Sequence, residues 1–380
     1  MIYLDNSATT RTFGSAAEVA KKYMTETYFN PSSAYGPAVT VEKAVNGARR
    51  RIADTINVTP NEIIFTSGAT ESNNMAFSGA MRAMRGNGRI IVSAVEHPSV
   101  FETARRYADV GYEVEFVGVD ATGRVNVDML KSMLGDDVRF VSIMQVNNET
   151  GAVNDIPAVY NAIISQAPGA LLHVDGVQGF LRVPFNARFC DMYSLSGHKF
   201  HAPKGVGALY VRNRTKFLGG QTGGGQENGL RSGTSCTSGI MAMDAAIAQY
   251  TEHSREYIDG MYACKKRLAD NIKRINDTFI NGPAIADGAP HILNASFMGV
   301  RGEVLLHALE EKQIYVATGS ACSSKKKGKN RILDAMGLKP ERQESAIRFS
   351  LSPFNTVNEM DEAAAAIESI IAVLRRYKRR

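Results

Sequence analysis

Cysteine is scarce in this chain. The four residues Cys190, Cys236, Cys264 and Cys322 never fall at a Cys-x-x-Cys spacing, and no histidine pair completes a zinc pattern. A disulfide framework is not expected in a chain this long that reads as cytosolic. No metal site is expected either. His198 and His201 are near each other, but no carboxylate or cysteine completes a set. Runs of about eighteen apolar residues are absent, which excludes a membrane-spanning helix from the reading. The opening Met1–Ile2–Tyr3–Leu4–Asp5–Asn6 lacks a basic start and a long apolar segment, so it does not read as a signal peptide. A cytoplasmic setting is the expectation. Internal repeats and low-complexity segments are also missing.

What is present is ordinary for a globular protein: 380 residues, 44% hydrophobic and 22% charged. The length suggests two or three structural units. The net charge is +6. Much of the excess sits in Lys325–Lys326–Lys327 with Lys329, and in the tail from Arg375 to Arg380. Such patches are solvated surface or contacts for an acidic partner. Direct nucleic-acid binding is not expected.

Strand-like and helix-like segments alternate through the first half. A helix is expected from about Ala16 to Tyr28. In the next, Val41, Ala44, Val45, Ala48, Ile52 and Ile56 recur at helical spacing, with Arg49, Arg50 and Arg51 largely off that face. Then come strand–turn–helix units. Glu62–Phe65 leads into Thr66–Ser67–Gly68–Ala69–Thr70, and Arg89–Ser93 into Glu96–His97. Val138–Val146 leads into Asn147–Asn148–Glu149, and Ala170–Val174 into Asp175 and Gln178. This alternation predicts an α/β fold with a mostly parallel, doubly wound sheet. In such sheets ligands lie outside the carboxyl ends of the strands. Thr70, His97, Asn148, Asp175, Gln178 and Lys199 all fall at such ends, so they are expected to converge on one crevice.

The stretch Ser194–Leu195–Ser196–Gly197–His198–Lys199 carries the reactive candidate. A lysine at a turn is ordinarily a solvated charge. Small and hydroxylic neighbours can desolvate it, and a desolvated lysine forms a Schiff base readily. An aspartate at a strand end can keep a ring nitrogen protonated. Lysine and carboxylate together are what pyridoxal phosphate needs. The Gly68–Ala69–Thr70 turn opens a helix whose free N–H groups suit a phosphate. The glycine-rich run Gly219–Gly225, leading to Arg231–Ser232–Gly233–Thr234, lacks a nucleotide-binding pattern and reads as a loop. One long helix is expected from Thr237 to about Asn276, bridging two units. The remainder, with strands near Leu293–Met298, Ile314–Val316 and Ile347–Leu351, reads as a small α+β domain.

Taken in order, the motifs resemble the pyridoxal-phosphate cysteine desulfurases of aminotransferase class V. They are Tyr3–Leu4–Asp5–Asn6, Thr66 to Asn74, Val146 to Gly151, His173–Val174–Asp175 with Gln178, Ser196–Gly197–His198–Lys199, Arg231 to Thr234, Gly319–Ser320–Ala321–Cys322 and Ile347–Arg348–Phe349–Ser350. They span essentially the whole chain. The resemblance implies a type I PLP-transferase (aminotransferase-like) fold. A large cofactor-binding domain would cover 15–255, and a small domain 1–14 with 256–380. It implies that Lys199 carries the cofactor, that Asp175 pairs with the ring nitrogen and Gln178 with the ring hydroxyl, and that His97 stacks on the ring and moves protons. Ala69, Thr70, Ser196 and His198 would hold the phosphate, with Thr234 reaching it from a second subunit of a homodimer. Asn148, also at the cofactor, and Arg348 would bind the substrate carboxylate.

Cys322 decides the reaction that the resemblance implies. It would take the sulfur of L-cysteine as a persulfide, releasing L-alanine, and pass it to an acceptor protein. The basic residues nearby favour its thiolate. Iron–sulfur cluster assembly and tRNA thiolation both fit as destinations. The lysine-rich segment after Cys322 departs from the usual pattern and leaves the acceptor open. Arg11 also stands where the family often has proline. The alternatives are a selenocysteine lyase or another class V aminotransferase-like enzyme, and a non-enzymatic RNA- or scaffold-binding protein.

Overall fold

The structure is a computed structural model and describes residues 1–84, 88–319 and 330–377. Its strands, numbered along the chain, are β1 (Ile2–Tyr3), β2 (Ile63–Thr66), β3 (Arg89–Ser93), β4 (Val114–Val117), β5 (Val138–Met144) and β6 (Leu171–Asp175). They continue with β7 (Met192–Ser196), β8 (Gly207–Val211), β9 (Thr278–Asn281), β10 (Ile292–Phe297), β11 (Ile314–Tyr315) and β12 (Ala346–Ser350).

The main sheet has seven strands in the order β2-β8-β7-β6-β5-β3-β4. The run from β7 to β4 is parallel, and β8 lies antiparallel to both β7 and β2. All strands except β8 therefore share one direction, and their carboxyl ends open on one edge. The inner strands are apolar on both faces because helices cover both. Every residue of β7 and β8 is buried, as is all of β5 except Arg139. The antiparallel β8 is the part that the strand–helix alternation could not signal. It follows β7 through a loop, residues 197–206, that holds one short 3-10 turn (Gly197–Lys199) rather than a crossover α-helix.

A second sheet, ordered β12-β10-β9, is antiparallel, and β1 pairs with β11 in parallel. Residues of both larger sheets, such as Val174 and Phe349, belong to one buried apolar cluster. The N-terminal segment ties the sheets together. Leu4 N donates to Tyr315 O and Asn6 N to Ser350 O, then Thr10 N donates to His198 O.

The expected helix over Thr237–Asn276 is in fact two, Thr237–Glu252 and Ser254–Ile272. They meet at His253, whose backbone leaves the helical region at φ −104°, ψ 16°. The first buries Met243, Ala246 and Ile247 and packs on the helices Gly14–Thr25 and Gly36–Ile56; the second packs on Val357–Tyr377 and β10. The break lets the first helix face the two N-terminal helices and the second face the C-terminal helix and β10. The helix Gly36–Ile56 buries Val41, Val45, Ala48, Ile52 and Ile56 as its spacing predicts, and Asn57 ends it in the left-handed region at φ 60°. Arg49 is not simply a solvated charge on that helix. It makes a two-point ion pair with Glu227 at 2.6 and 2.9 Å and donates to Ile63 O.

Candidate active site

The site is built at the open edge of the main sheet. Lys199 follows β7, one strand from Asp175 at the end of β6. The Lys199 ammonium donates to the carbonyls of Ser7 and Ala8 at 2.6 and 2.8 Å. Burial, and then the charges of Arg348 and Arg182, lower its pKa to about 8, partly offset by Asp175 and Asp5. Two neutral acceptors in a confined place hold the amine without a counter-ion in contact. Arg182, itself buried, donates to Lys199 O and braces the turn.

Asp175 is held from two sides. Its Oδ1 accepts from Val177 N at 3.0 Å, and its Oδ2 from Asn73 Nδ2 at 2.8 Å. The same Asn73 amide donates to Ser99 Oγ at 2.9 Å, and Ser99 Oγ lies 2.8 Å from His97 Nδ1. Ser99 N also points at that nitrogen, at 3.2 Å. Nδ1 is thus the acceptor, and a neutral His97 carries its proton on Nε2. Burial favours that neutral form by pushing the His97 pKa down, against the pull of Asp175. A continuous chain Asp175–Asn73–Ser99–His97 results. Beside it, buried Glu96 is raised to about 8 by burial and by Asp175, so it is largely protonated at neutral pH; its carboxyl bridges Ser93 Oγ and Met144 N.

The phosphate-suited turn lies beside Ser196, three residues before Lys199. Gly68 has φ 146° and ψ −179°, a conformation that a side chain resists. A Cβ there would lie 3.4 Å from Ser196 Oγ, and one on Gly207 would lie 2.7 Å from Gly68 Cα. The turn after β2 and the first residue of β8 therefore touch through bare backbone. Ala69 and Thr70 open a helix running to Ala83, where N–H groups lack helical acceptors. Glu71 clamps the turn, accepting from Ser67 N at 2.7 Å and pairing with Arg231 at 2.7 Å. His198 precedes Lys199, and its Nδ1 lies 3.2 Å from Thr9 Oγ1. Burial, then Lys199, lowers its pKa to about 4, so it is neutral at pH 7.

Arg348 of β12 crosses from the second sheet. It donates to Asp5 Oδ1 at 2.7 Å and to Asn148 O at 3.1 Å. Arg348 Nε and Asn148 Oδ1 are buried and have no hydrogen-bond partner among the described residues. Two such groups, one donor and one acceptor, at the same place suit a polar ligand. Gln178 donates to Ser7 O at 3.1 Å.

Sequence reasoning expected Thr70, His97, Asn148, Asp175, Gln178 and Lys199 at strand ends facing one crevice; the structure links Lys199 and Gln178 through Ser7 O, and brings Arg348 to Asn148 from the middle of β12. Thr234 is exposed, on a cavity of about 150 Å³ that Thr66, Ser67, Arg231 and Cys236 also line and Lys199 does not. Cys322 and the lysines after it fall outside the described residues. Asn73, Ser99, Asp5, Ser7 and Arg182 were not foreseen as site residues. The quoted Thr66–Asn74 motif holds Asn73, but only the packing of its helix on β6 and β7 shows its target. No group of three or more histidine, cysteine or acidic side chains among the described residues is arranged to hold a metal ion. Among the described residues, no helix is long and apolar enough to cross a membrane.

A low-basicity lysine, a buried carboxylate one strand away and a bare helix N-terminus beside them define an α/β protein of the type that binds an aldehyde-bearing, phosphorylated cofactor. Comparison with known proteins agrees. The family model of aminotransferase class V matches residues 2–362. A Lactobacillus delbrueckii subsp. bulgaricus protein described as a NifS/IcsS protein homolog is 40% identical over 375 residues, covering 97% of each chain. A cysteine desulfurase IscS from Escherichia coli O139:H28 is also 40% identical, over 98% of this chain and 93% of its own. The solved structure of a NifS-like protein superposes with a TM-score of 0.92 at 34% identity, covering 98% and 99% of the two chains. The chain belongs to the aminotransferase class V family.

Proposed function

We propose that this chain is a pyridoxal-phosphate-dependent cysteine desulfurase that moves the sulfur of L-cysteine to Cys322 and releases L-alanine. The observation that carries it is Lys199, lowered in basicity, standing one strand from the Asp175–Asn73–Ser99–His97 chain. The site fits the cofactor. Lys199 is the amine, Asp175 the partner of the ring nitrogen, and Gln178 the partner of the ring hydroxyl. Ala69, Thr70, Ser196 and His198 would hold the phosphate. Pyridoxal phosphate, when bound, supplies a carbonyl that condenses with amines and a ring that draws off electrons.

The protein's own groups do the rest. Asp175 would hold the proton of the ring nitrogen, and Lys199, as a neutral amine, with neutral His97 would move the substrate α-proton. Arg348 and Asn148 bind the substrate carboxylate, the guanidinium offering a fork that Asp5 and Asn148 O keep aligned. The thiolate of Cys322 then bonds to the substrate sulfur as the Cβ–S bond breaks. The electron pair stays on the alanine fragment, which takes up protons, and the transfer needs no outside oxidant. Gly319 and Asn330, which flank residues 320–329, both lie against Glu149, next to Asn148.

The same proposal includes a homodimer, because the family resemblance has Thr234 reach the phosphate of a second copy and Thr234 is exposed. It includes a large domain over 15–255 and a small one from 1–14 with 256–380, which the separate sheets support. A cytoplasmic setting fits the described cysteines, all free. The sulfur acceptor would be an iron–sulfur scaffold or a tRNA-thiolation enzyme. The test is to load the protein with labelled cysteine and map the extra sulfur by mass. Label on Cys322, with a Cys322→Ala variant that binds the coenzyme but yields no alanine, is expected. Full desulfuration by that variant would overturn the assignment.

A further inference from the structure

We propose that His291 is a positioning residue that sets the direction of the Gln178 amide and so makes Gln178 a hydrogen-bond donor toward the coenzyme's ring oxygen. This rests on the reading of the site given above. His291 comes just before β10, is completely buried, and its carbonyl accepts from Leu351 N at 2.8 Å. Its Nε2 lies 3.1 Å from Gln178 Oε1. Gln178 Nε2 in turn lies 3.1 Å from Ser7 O, the carbonyl that also accepts from Lys199 at 2.6 Å. The imidazole thus stands at the end of a chain that finishes on the reactive amine.

The chemistry of the groups fixes the polarity of that chain. Burial holds His291 neutral, and Arg182, Lys265, Arg348 and Lys199 all act in the same direction. A neutral imidazole has one N–H. An amide oxygen only accepts, so that hydrogen belongs on Nε2. The other nitrogen, Nδ1, is buried and unpaired among the described residues. A bare acceptor is the cheaper state for it, since a buried unpaired N–H is the costlier defect. Turning the Gln178 amide over would set its oxygen against Ser7 O and its N–H₂ against the imidazole N–H. Both neighbours therefore choose the same orientation. Of the two amide hydrogens, one goes to Ser7 O and one is left for the ring oxygen.

That donor favours the deprotonated form of the bound coenzyme, in which the ring oxygen carries more negative charge. Losing it moves the pH midpoint of the visible band upward. The experiment compares wild type, His291→Ala, His291→Gln and Gln178→Ala, each loaded with pyridoxal phosphate and titrated spectroscopically. Borohydride trapping and peptide mapping show whether the coenzyme sits on Lys199. The expected result is a midpoint raised by about one unit in His291→Ala, the scale of one hydrogen bond to a charged acceptor. Most of it should return in His291→Gln, whose amide reaches the Nε2 position. In the Gln178→Ala background the His291→Ala change should add nothing. An unchanged midpoint with Lys199 trapped, or a shift that persists without Gln178, overturns the proposal. Failure to trap wild-type Lys199 overturns the cofactor reading instead. Should the alanine variant not fold, ¹⁵N shifts of wild-type His291 decide: hydrogen on Nε2 supports the proposal, and hydrogen on Nδ1 sinks it.

Discussion

The lowered basicity of Lys199 has a measurable consequence. Only a neutral amine attacks an aldehyde, so coenzyme uptake by the apoprotein should follow the neutral fraction of Lys199. With a pKa of about 8 that fraction is about one in ten at pH 7. At the ordinary value of 10.5 it would be about one in three thousand, some 300-fold less. Stopped-flow absorbance of the uptake, run from pH 6 to 10, should rise about tenfold per unit and level off near pH 8. Burial is the largest cause and Arg348 the next, so Arg348→Met should move the break upward while leaving it well below 10.5. The same group enters stability with a definite sign. Between pH 8 and 10.5 the unfolded lysine binds more protons than the folded one, so apoprotein stability rises with pH across that window. The contribution is up to about 3 kcal/mol, reduced by partial solvent access. It is present above 10.5 and lost as pH falls to about 8. Denaturant melts of wild type minus Lys199→Met isolate it. Uptake that climbs unbroken to pH 10, together with a flat difference in the melts, would refute the account of a desolvated amine.

Three further outcomes follow from the geometry. Asn73→Ala severs Asp175 from Ser99 and His97, and should lower kcat about ten- to a hundredfold with the coenzyme still bound, as loss of a buried hydrogen bond to a charged group predicts. Steady-state alanine release checks it, and an unchanged kcat would remove the chain from the mechanism. Asp175→Asn leaves the shape but not the charge; a fall of at least about 100-fold in kcat is expected, with Lys199 still trapped by borohydride. Gly68→Ala forces a side chain into a glycine conformation, costing about 1–3 kcal/mol in a melt and loosening coenzyme binding more than that of free pyridoxal, which has no phosphate.

The alternation of apolar runs with polar turns made the α/β class readable, because each strand end carries its functional residue within a few positions. Lys199, Asp175, His97 and Gln178 were legible for that reason. Their supporting partners were not. Asp5 meets Arg348 across 343 positions, and Asn73 meets Asp175 across 102. Nothing in local periodicity marks such pairs; they exist once two sheets dock. His253 shows the same limit at the level of elements, since helical spacing runs through it and only the packing of the two helices on different neighbours shows the break.

What the amino-acid order settled alone was the type of element and the side chain at its end, since burial of alternate or every third and fourth residue is a local matter. What awaited the tertiary structure was neighbourhood: the reversed β8, the carbonyls of residues 7 and 8 over the amine, and the histidine behind the glutamine. Those depend on which surfaces meet when the sheets pack, and packing is a property of the whole chain.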